Sequence, residues 1–220
     1  MSDRALVVLS GGQDSTTCLY WAIDKYKREN VEAVTFDYGQ RHRIELECAR
    51  TICQDAGIVQ AELPIDTFQA LGGNALTNAE IDIAEGVDGE LPSTFVPGRN
   101  LIFLTFAAAH AWQRSITNIV TGVAQTDYSG YPDCRQETID SLSTTLQLGM
   151  DRTFVIHTPL MNLSKRETVL LADSLGAIKA MAQTHTCYEG VRPPCEKCPA
   201  CILRAKGFSE AGINDPLTSL

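Results

Sequence analysis

Two groups of residues in this 220-residue chain carry chemistry in their types and spacing. The first is Ser10-Gly11-Gly12-Gln13-Asp14-Ser15, directly after the apolar run from Ala5 to Leu9. Paired glycines let a backbone turn tightly and approach an anion with no Cβ in the way. Backbone N–H groups at the start of a following helix, with the helix dipole behind them, attract phosphate oxygens. Ser10 and Ser15 add hydroxyl donors. Asp14 suits an anion site only if a cation is present, and Mg²⁺ bridging phosphates prefers one or two carboxylates plus phosphate oxygens. The plainer alternative is a strand-to-helix turn capped by Asp14, but the full Ser-Gly-Gly-x-Asp-Ser string favours the phosphate reading. It is not a Walker loop, because the Gly-Lys-[Ser/Thr] ending is missing.

The second group is Cys187-x7-Cys195-x2-Cys198-x2-Cys201, half of the eight cysteines. Four thiolates this close suit a tetrahedral Zn²⁺, and a full protein ligand set leaves no open position, so the site reads as structural. An iron–sulfur cluster is the rival, since Cys-x2-Cys-x2-Cys also occurs in ferredoxins. His185 is an extra candidate ligand, read instead as a surface residue or one at the edge of the active site. Cys18, Cys48, Cys53 and Cys134 are scattered and read as small buried hydrophobes of a reducing compartment.

The elements that must position these groups follow from periodicity. Residues 5–10 and 31–38 are strands, the first apolar throughout, as in a parallel sheet buried on both faces. Residues 61–65, 118–123 and 153–158 supply three more. Helices are expected over 14–27, 44–56 (stopped by Gly57), 100–114, 133–149 and 164–175, the last opened by Ser164 with Glu167 in a capping box and stopped by Gly176. Residues 66–97 carry Gly72, Gly73, Gly86, Gly89, Pro92 and Pro97 with little periodicity, and a connection this long is often a lid. The alternation predicts a doubly wound, Rossmann-like α/β fold with a five-stranded parallel sheet over residues 1–180. From about Met181 the composition changes, and 181–220 reads as a zinc-binding segment packed on that domain.

The phosphate loop resembles the signature of the PP-loop ATP pyrophosphatases, a superfamily that includes NAD synthetase, GMP synthetase and the tRNA thiolases. The resemblance implies ATP binding over Leu9, Ser10, Gly11, Gly12, Gln13, Asp14, Ser15, Thr16, Thr17, Cys18 and Leu19, with Mg²⁺ on Asp14. It also implies cleavage between the α- and β-phosphates and an adenylylated substrate oxygen. Further segments narrow the family: Thr35 to His42, Phe95-Val96-Pro97-Gly98-Arg99-Asn100, Asp127-Tyr128-Ser129-Gly130-Tyr131-Pro132-Asp133-Cys134-Arg135, Thr158-Pro159-Leu160 and the cysteines. In this order, over essentially the whole chain, they resemble the 7-cyano-7-deazaguanine synthases of queuosine biosynthesis. No residue-level expectation is attached to 68–91.

That resemblance implies 7-carboxy-7-deazaguanine and ammonia as substrates and a homodimer as the assembly. A carboxylate resists nucleophiles until adenylylation removes its charge. Ammonia then gives an amide, and a second adenylylation of the amide oxygen gives the nitrile. Asp14, Arg99 and Lys165 are the catalytic candidates. Arg99 suits a phosphate or the substrate carboxylate, or else is a surface cation at a helix start. Lys165 either steadies charge on the α-phosphate or is a solvated helix residue. Asp37 to Gly39 are expected to border the adenosine. Asp127, Tyr131 and Asp133 either hold the deazaguanine or are turn residues. His157 is expected to end a strand rather than catalyse.

Composition sets limits. The net charge of −9, with basic residues scattered apart from Arg41-His42-Arg43, argues against a large polynucleotide partner. It also argues against the closest rival, a PP-loop tRNA-modifying sulfurtransferase, which needs a basic face. A zinc-ribbon nucleic-acid module would embed its cysteines in basic and aromatic residues, which are sparse here. No apolar run approaches the roughly 20 residues that span a bilayer, and no signal-peptide pattern is recognisable, so the expected location is cytoplasmic.

Overall fold

The computed structural model describes residues 3–40, 43–78, 80–84, 91–125 and 131–218. Arg41, His42, Asp127 and the Tyr128 to Gly130 stretch of the second motif lie outside the described residues. Five strands, β1 (Ala5–Val8), β2 (Val31–Asp37), β3 (Val59–Pro64), β4 (Asn118–Val120) and β5 (Val155–His157), form one sheet. Every pairing is parallel and the order is β3-β2-β1-β4-β5. The expected five-stranded, doubly wound α/β architecture is the observed one.

Successive strand side chains point to opposite faces. Leu6 of β1 joins one core with Val34 and Phe36, whereas Ala5 and Val7 join the other with Val31 and Ala33. Both faces are therefore dry, which is why β1 and β2 have no polar alternation. Helices α1 (Gln13–Tyr26) and α2 (Ile44–Ala56) cover one face with Cys18, Leu19, Ala22, Ala49 and Ile52. The short α3 (Thr67–Leu71), with α4 (Arg99–Gln113) and α5 (Gln136–Met150), covers the other. In α4 the buried stripe is Leu104, Ala107, Ala108 and Ala111, spaced for one helix face, and its small residues let the helix lie close on the sheet.

Helix α2 keeps its expected bounds, and Gly57 stops it at φ 65°. Helix α6 (Lys165–Ser174) opens with the Ser164–Glu167 capping box. His157 ends β5 as expected. Helix α3 interrupts the connection read as irregular over 66–97. The C-terminal region is more helical than its composition suggested: α7 (Ile178–Met181) and the 13-residue α8 (Pro199–Ala211) pack with α6 around Val169, Met181 and Phe208. Contact between α6 and α8 is close because position 207 is glycine, where a Cβ would sit 2.9 Å from the Lys165 Cβ.

Candidate functional site: a crevice at the switch point of the sheet

Strand order reverses between β1 and β4, and in such sheets ligands bind outside the carboxyl ends at that point. Leu9 and Ser10 leave β1 there, and Thr121 and Gly122 leave β4. Between them opens a cavity of about 750 Å³, inside the roughly 300–1,000 Å³ range of small-molecule sites. Ser10, Gly12, Gln13, Asp14 and Ser15 line it from the loop, and Tyr38, Arg99, Tyr131 and Lys165 line it from other elements.

The loop is held by its own groups. Gly11 has φ 87°, and a Cβ there would lie 2.3 Å from the Glu45 carbonyl oxygen, so the loop lies flat on the start of α2. Ser15 Oγ accepts from Ser10 N (3.1 Å), donates to the Gly12 carbonyl (3.2 Å) and lies 3.0 Å from Ser10 Oγ. Helix α1 begins at N-cap Gly12 without a side-chain cap, which leaves its first amides without a capping side chain of their own.

Lys165 Nζ donates to Asp14 Oδ2 at 2.6 Å, and its side chain is only 13% exposed, so it is not a solvated helix residue. Asp14 Oδ1 and Gln13 Nε2 are buried with no hydrogen-bond partner among the described residues. Each such group costs about 1–3 kcal/mol when left unsatisfied. An acceptor and a donor orphaned on neighbouring residues of an anion loop fit a ligand set of divalent cation plus phosphate oxygen.

The two most specific sequence segments build one wall. Thr94 Oγ1 lies 2.6 Å from the Tyr131 hydroxyl, and the Phe95 and Tyr131 rings are 5.6 Å apart. Asn100 N donates to Asp133 Oδ2 at 2.9 Å. Arg99 lies over the Tyr38 ring at 5.9 Å. Burial would discharge Arg99, but Tyr38, Tyr131 and Asp133 around it hold its guanidinium charged. Burial also pushes the Tyr38 phenol up to about 12, with Arg99 opposing. Arg99 is thus a cavity residue rather than a surface cation at a helix start.

Other expected residues stand apart from the cavity. Asp133 is buried and spends one carboxylate oxygen on the backbone of α4. Thr16 and Thr17 turn their hydroxyls back onto the carbonyls of Gly12 and Gln13. Cys18 and Leu19 are core residues. Conversely, Glu45 lines the cavity, and sequence reading missed it. Burial raises its carboxyl to about 7, against the opposing pull of Arg99. A glutamate in the first turn of a helix reads from sequence as a partner of the helix dipole, so nothing marked it out.

The four C-terminal cysteines meet as their spacing predicted. The sulfurs of Cys187, Cys195, Cys198 and Cys201 all lie within 4.8 Å of one another, close to the ~3.8 Å sulfur separation of a tetrahedral Zn–S4 centre. Cys195 N donates to Cys187 Sγ and Cys198 N to Cys195 Sγ. Burial pushes the Cys195 thiol up, but backbone N–H groups of Lys197 and Cys198 outweigh it and bring it down to about 7. The cluster can hold a metal ion.

This cluster is tied to the loop. His185 N donates to the Gly11 carbonyl at 2.9 Å, and His185 Nε2 lies 2.8 Å from the Cys187 carbonyl. His185 is 2% exposed, so it is an edge residue of the cavity but not a surface one, and it is not among the clustered ligands. Arg204 of α8 secures the same segment, donating to Thr184 and Thr186 hydroxyls and, through two nitrogens, to Asp215.

Fold and loop together define a doubly wound α/β protein of the PP-loop type. The chain belongs to the family described as Queuosine biosynthesis protein QueC, whose profile matches residues 4–212. A protein of Chromobacterium violaceum named 7-cyano-7-deazaguanine synthase is 64% identical over 98% of this chain and 93% of its own. Proteins of the same name from Laribacter hongkongensis and Lysinibacillus sphaericus are 61% and 54% identical, covering 98% and 94% of this chain and 94% and 95% of their own. This chain is an enzyme of that family, which removes the sulfurtransferase reading. Among solved structures, an NH3-dependent NAD synthetase from Campylobacter jejuni, in complex with the nitrate ion, matches with TM-score 0.50 and 15% identity. The match covers 96% of this chain and 85% of that one, and it is a likeness of fold.

Proposed function

We propose that the chain is an ATP-dependent C–N ligase that converts 7-carboxy-7-deazaguanine and ammonia to 7-cyano-7-deazaguanine. The observation that carries the reading is the shared cavity. Asp14 and the rest of the anion loop, Arg99 and Tyr131 all line one space large enough for a nucleoside triphosphate and a second ring system. ATP lies with its phosphates on Ser10 to Ser15; Asp14 would hold Mg²⁺, which would neutralise phosphate charge. Tyr38 borders the adenosine. Lys165 orients Asp14 and stands beside the reacting phosphate. Arg99 draws in the substrate carboxylate, and Tyr131 packs against the deazaguanine. The carboxylate oxygen attacks the α-phosphorus and pyrophosphate leaves. Nitrogen attack expels AMP and gives the amide. The amide oxygen is activated in the same way, and loss of AMP leaves the nitrile.

Cys187, Cys195, Cys198 and Cys201 hold a structural Zn²⁺, and residues 181–220 form the zinc-binding segment on the 1–180 domain. The enzyme is a cytoplasmic homodimer. Incubation with ATP, ammonium and the carboxy-deazaguanine, followed by mass spectrometry, is the test. The reading requires nitrile together with AMP and pyrophosphate, one ATP for the acid and another for the amide. ADP and phosphate as products would sink it.

A further inference from the structure

Every nitrogen step in the proposed reaction releases protons. Ammonium must lose one before its lone pair can attack, the tetrahedral adduct loses another as AMP leaves, and the activated amide loses its remaining N–H protons on becoming a nitrile. A base within reach of the acyl carbon is therefore required in the cavity.

Among the described residues lining the cavity there are two carboxylates, Asp14 and Glu45. Asp14 is committed to Lys165 through Oδ2 and stands in the anion loop. His185 has its Nε2 against the Cys187 carbonyl, where it donates. Tyr38 is held protonated by burial. Glu45 sits in the first turn of α2, whose backbone is pressed against Gly11, so its position relative to the phosphate loop is fixed by packing. The groups that bear on it electrostatically are Arg99 from α4, Tyr38 from the end of β2, Cys48 on its own helix and Tyr188 from the cysteine segment.

We propose that Glu45 is the general base that takes N–H protons from the incoming nitrogen in both halves of the reaction. In the first half an ammonium N–H proton passes to a Glu45 carboxylate oxygen. The freed lone pair forms the C–N bond to the acyl carbon. Glu45, having passed the first proton to solvent, takes a second N–H proton from the tetrahedral adduct as the C–O bond to the adenylate breaks and AMP leaves with that electron pair. Glu45 then returns its proton to solvent. In the second half it takes the two N–H protons of the activated amide in turn, passing each to solvent, as the C≡N bond forms and AMP leaves again. Burial supports the role by raising the Glu45 carboxyl to about 7, which suits a base working near neutrality. The inference rests on the adenylylation reading above.

The test separates activation from amination. Wild type, Glu45→Gln and Glu45→Asp are compared in three assays: substrate-dependent exchange of labelled pyrophosphate into ATP without ammonium, single-turnover amide formation with ammonium from about pH 6 to 9, and hydroxamate formation with hydroxylamine. Hydroxylamine is largely neutral at pH 7 and needs no base to free its lone pair.

All three proteins are expected to exchange pyrophosphate within about threefold of one another, which also shows that the variants fold. Glu45→Gln is expected to lose about 100-fold or more in amide formation near neutral pH. It should recover toward high pH as free ammonia accumulates, and form hydroxamate at nearly the wild-type rate. Glu45→Asp falls between, and it carries the test if the glutamine variant does not fold. Wild-type amination by Glu45→Gln at pH 7, loss of exchange along with amination, or an equal defect with hydroxylamine overturns the assignment. A wild-type enzyme without substrate-dependent exchange overturns the adenylylation reading itself, and this proposal with it.

Discussion

Lys165 Nζ meets Asp14 at Oδ2 and leaves Oδ1 buried and unpartnered among the described residues. The pair joins the first turn of α1 to the first turn of α6, so the loop carboxylate is oriented by a residue far along the chain. Removing the charge while keeping the shape isolates its role. Asp14→Asn is expected to lower both acid and amide activation together, each by about 100-fold or more. Its stability is expected to fall by about 1–3 kcal/mol, since Lys165, at 13% side-chain exposure, loses a charged partner. Rapid-quench measurement of pyrophosphate release with each substrate checks this. Amide accumulating at the normal rate would show that Asp14 is not the shared metal ligand.

Gly11 combines a left-handed backbone with a contact that leaves no room for a side chain. Gly11→Ala is therefore expected to shift the loop off α2, at a cost of about 2–3 kcal/mol or more. Nucleotide affinity should fall with it. Calorimetric titration with a non-hydrolysable ATP analogue, beside thermal unfolding, measures both.

Chelation is the third test. The cysteine cluster borders α8 and the segment from Thr184 to Cys187, so extracting the metal, or replacing Cys198 with Ser, is expected to loosen α8 first. Hydrogen exchange should rise in α8 while the sheet stays protected. Metal analysis of the purified protein identifies the ion. A protein with one zinc per chain and unchanged exchange after chelation contradicts the structural role.

Arg204 and Asp215 form a buried pair, with side-chain exposures of 4% and 9%. Breaking one partner leaves the other charged and dry, so Arg204→Met is expected to cost about 3–5 kcal/mol. Combining it with Asp215→Leu should return part of that loss. Urea unfolding of the single and double variants decides it.

His157 supplies a pH signature. Burial, with Lys25 nearby, lowers its imidazole from 6.5 to about 4, and its Nε2 sits 2.9 Å from the Tyr26 hydroxyl and 3.1 Å from Asn118 Oδ1. The folded protein thus prefers the neutral ring. Its contribution is complete above the unfolded value and is lost as pH falls from 6.5 towards 4. Because the ring is only half-buried, the loss is expected to be about 1–2 kcal/mol. His157→Phe should flatten that part of the stability curve.

Much of this molecule is legible in its sequence, and most of the exceptions depend on contacts across the fold. Helix α2 and the Ser164 capping box were legible because their signals are local: a periodic stripe, a cap, a stop. The cysteine cluster was legible because ligand spacing is nearly a geometry in itself. Helix α8 was not, since its apolar stripe is weak beside its cysteines, although Pro199 at its first turn and Gly212 just beyond its end were available signals. Glu45 and the Arg204–Asp215 pair were invisible as site-forming groups because their roles depend on contacts across the fold. Asp133 was read either as a deazaguanine ligand or as a turn residue, and it sits in the turn from Pro132 to Cys134. One of its oxygens accepts from the Asn100 backbone N–H, a long-range contact that no local signal gives.

The hydrogen bond from His185 to Gly11 also bears on how the chain is made. The two residues emerge from the ribosome roughly ten to thirty seconds apart. During that interval β1, the loop and α1 exist without the amide that closes over the Gly11 carbonyl. The cavity is begun with β1 and the loop after it, yet it is finished only when the cysteine segment arrives. A nascent chain stalled before that point should carry most of the sheet and bind no nucleotide.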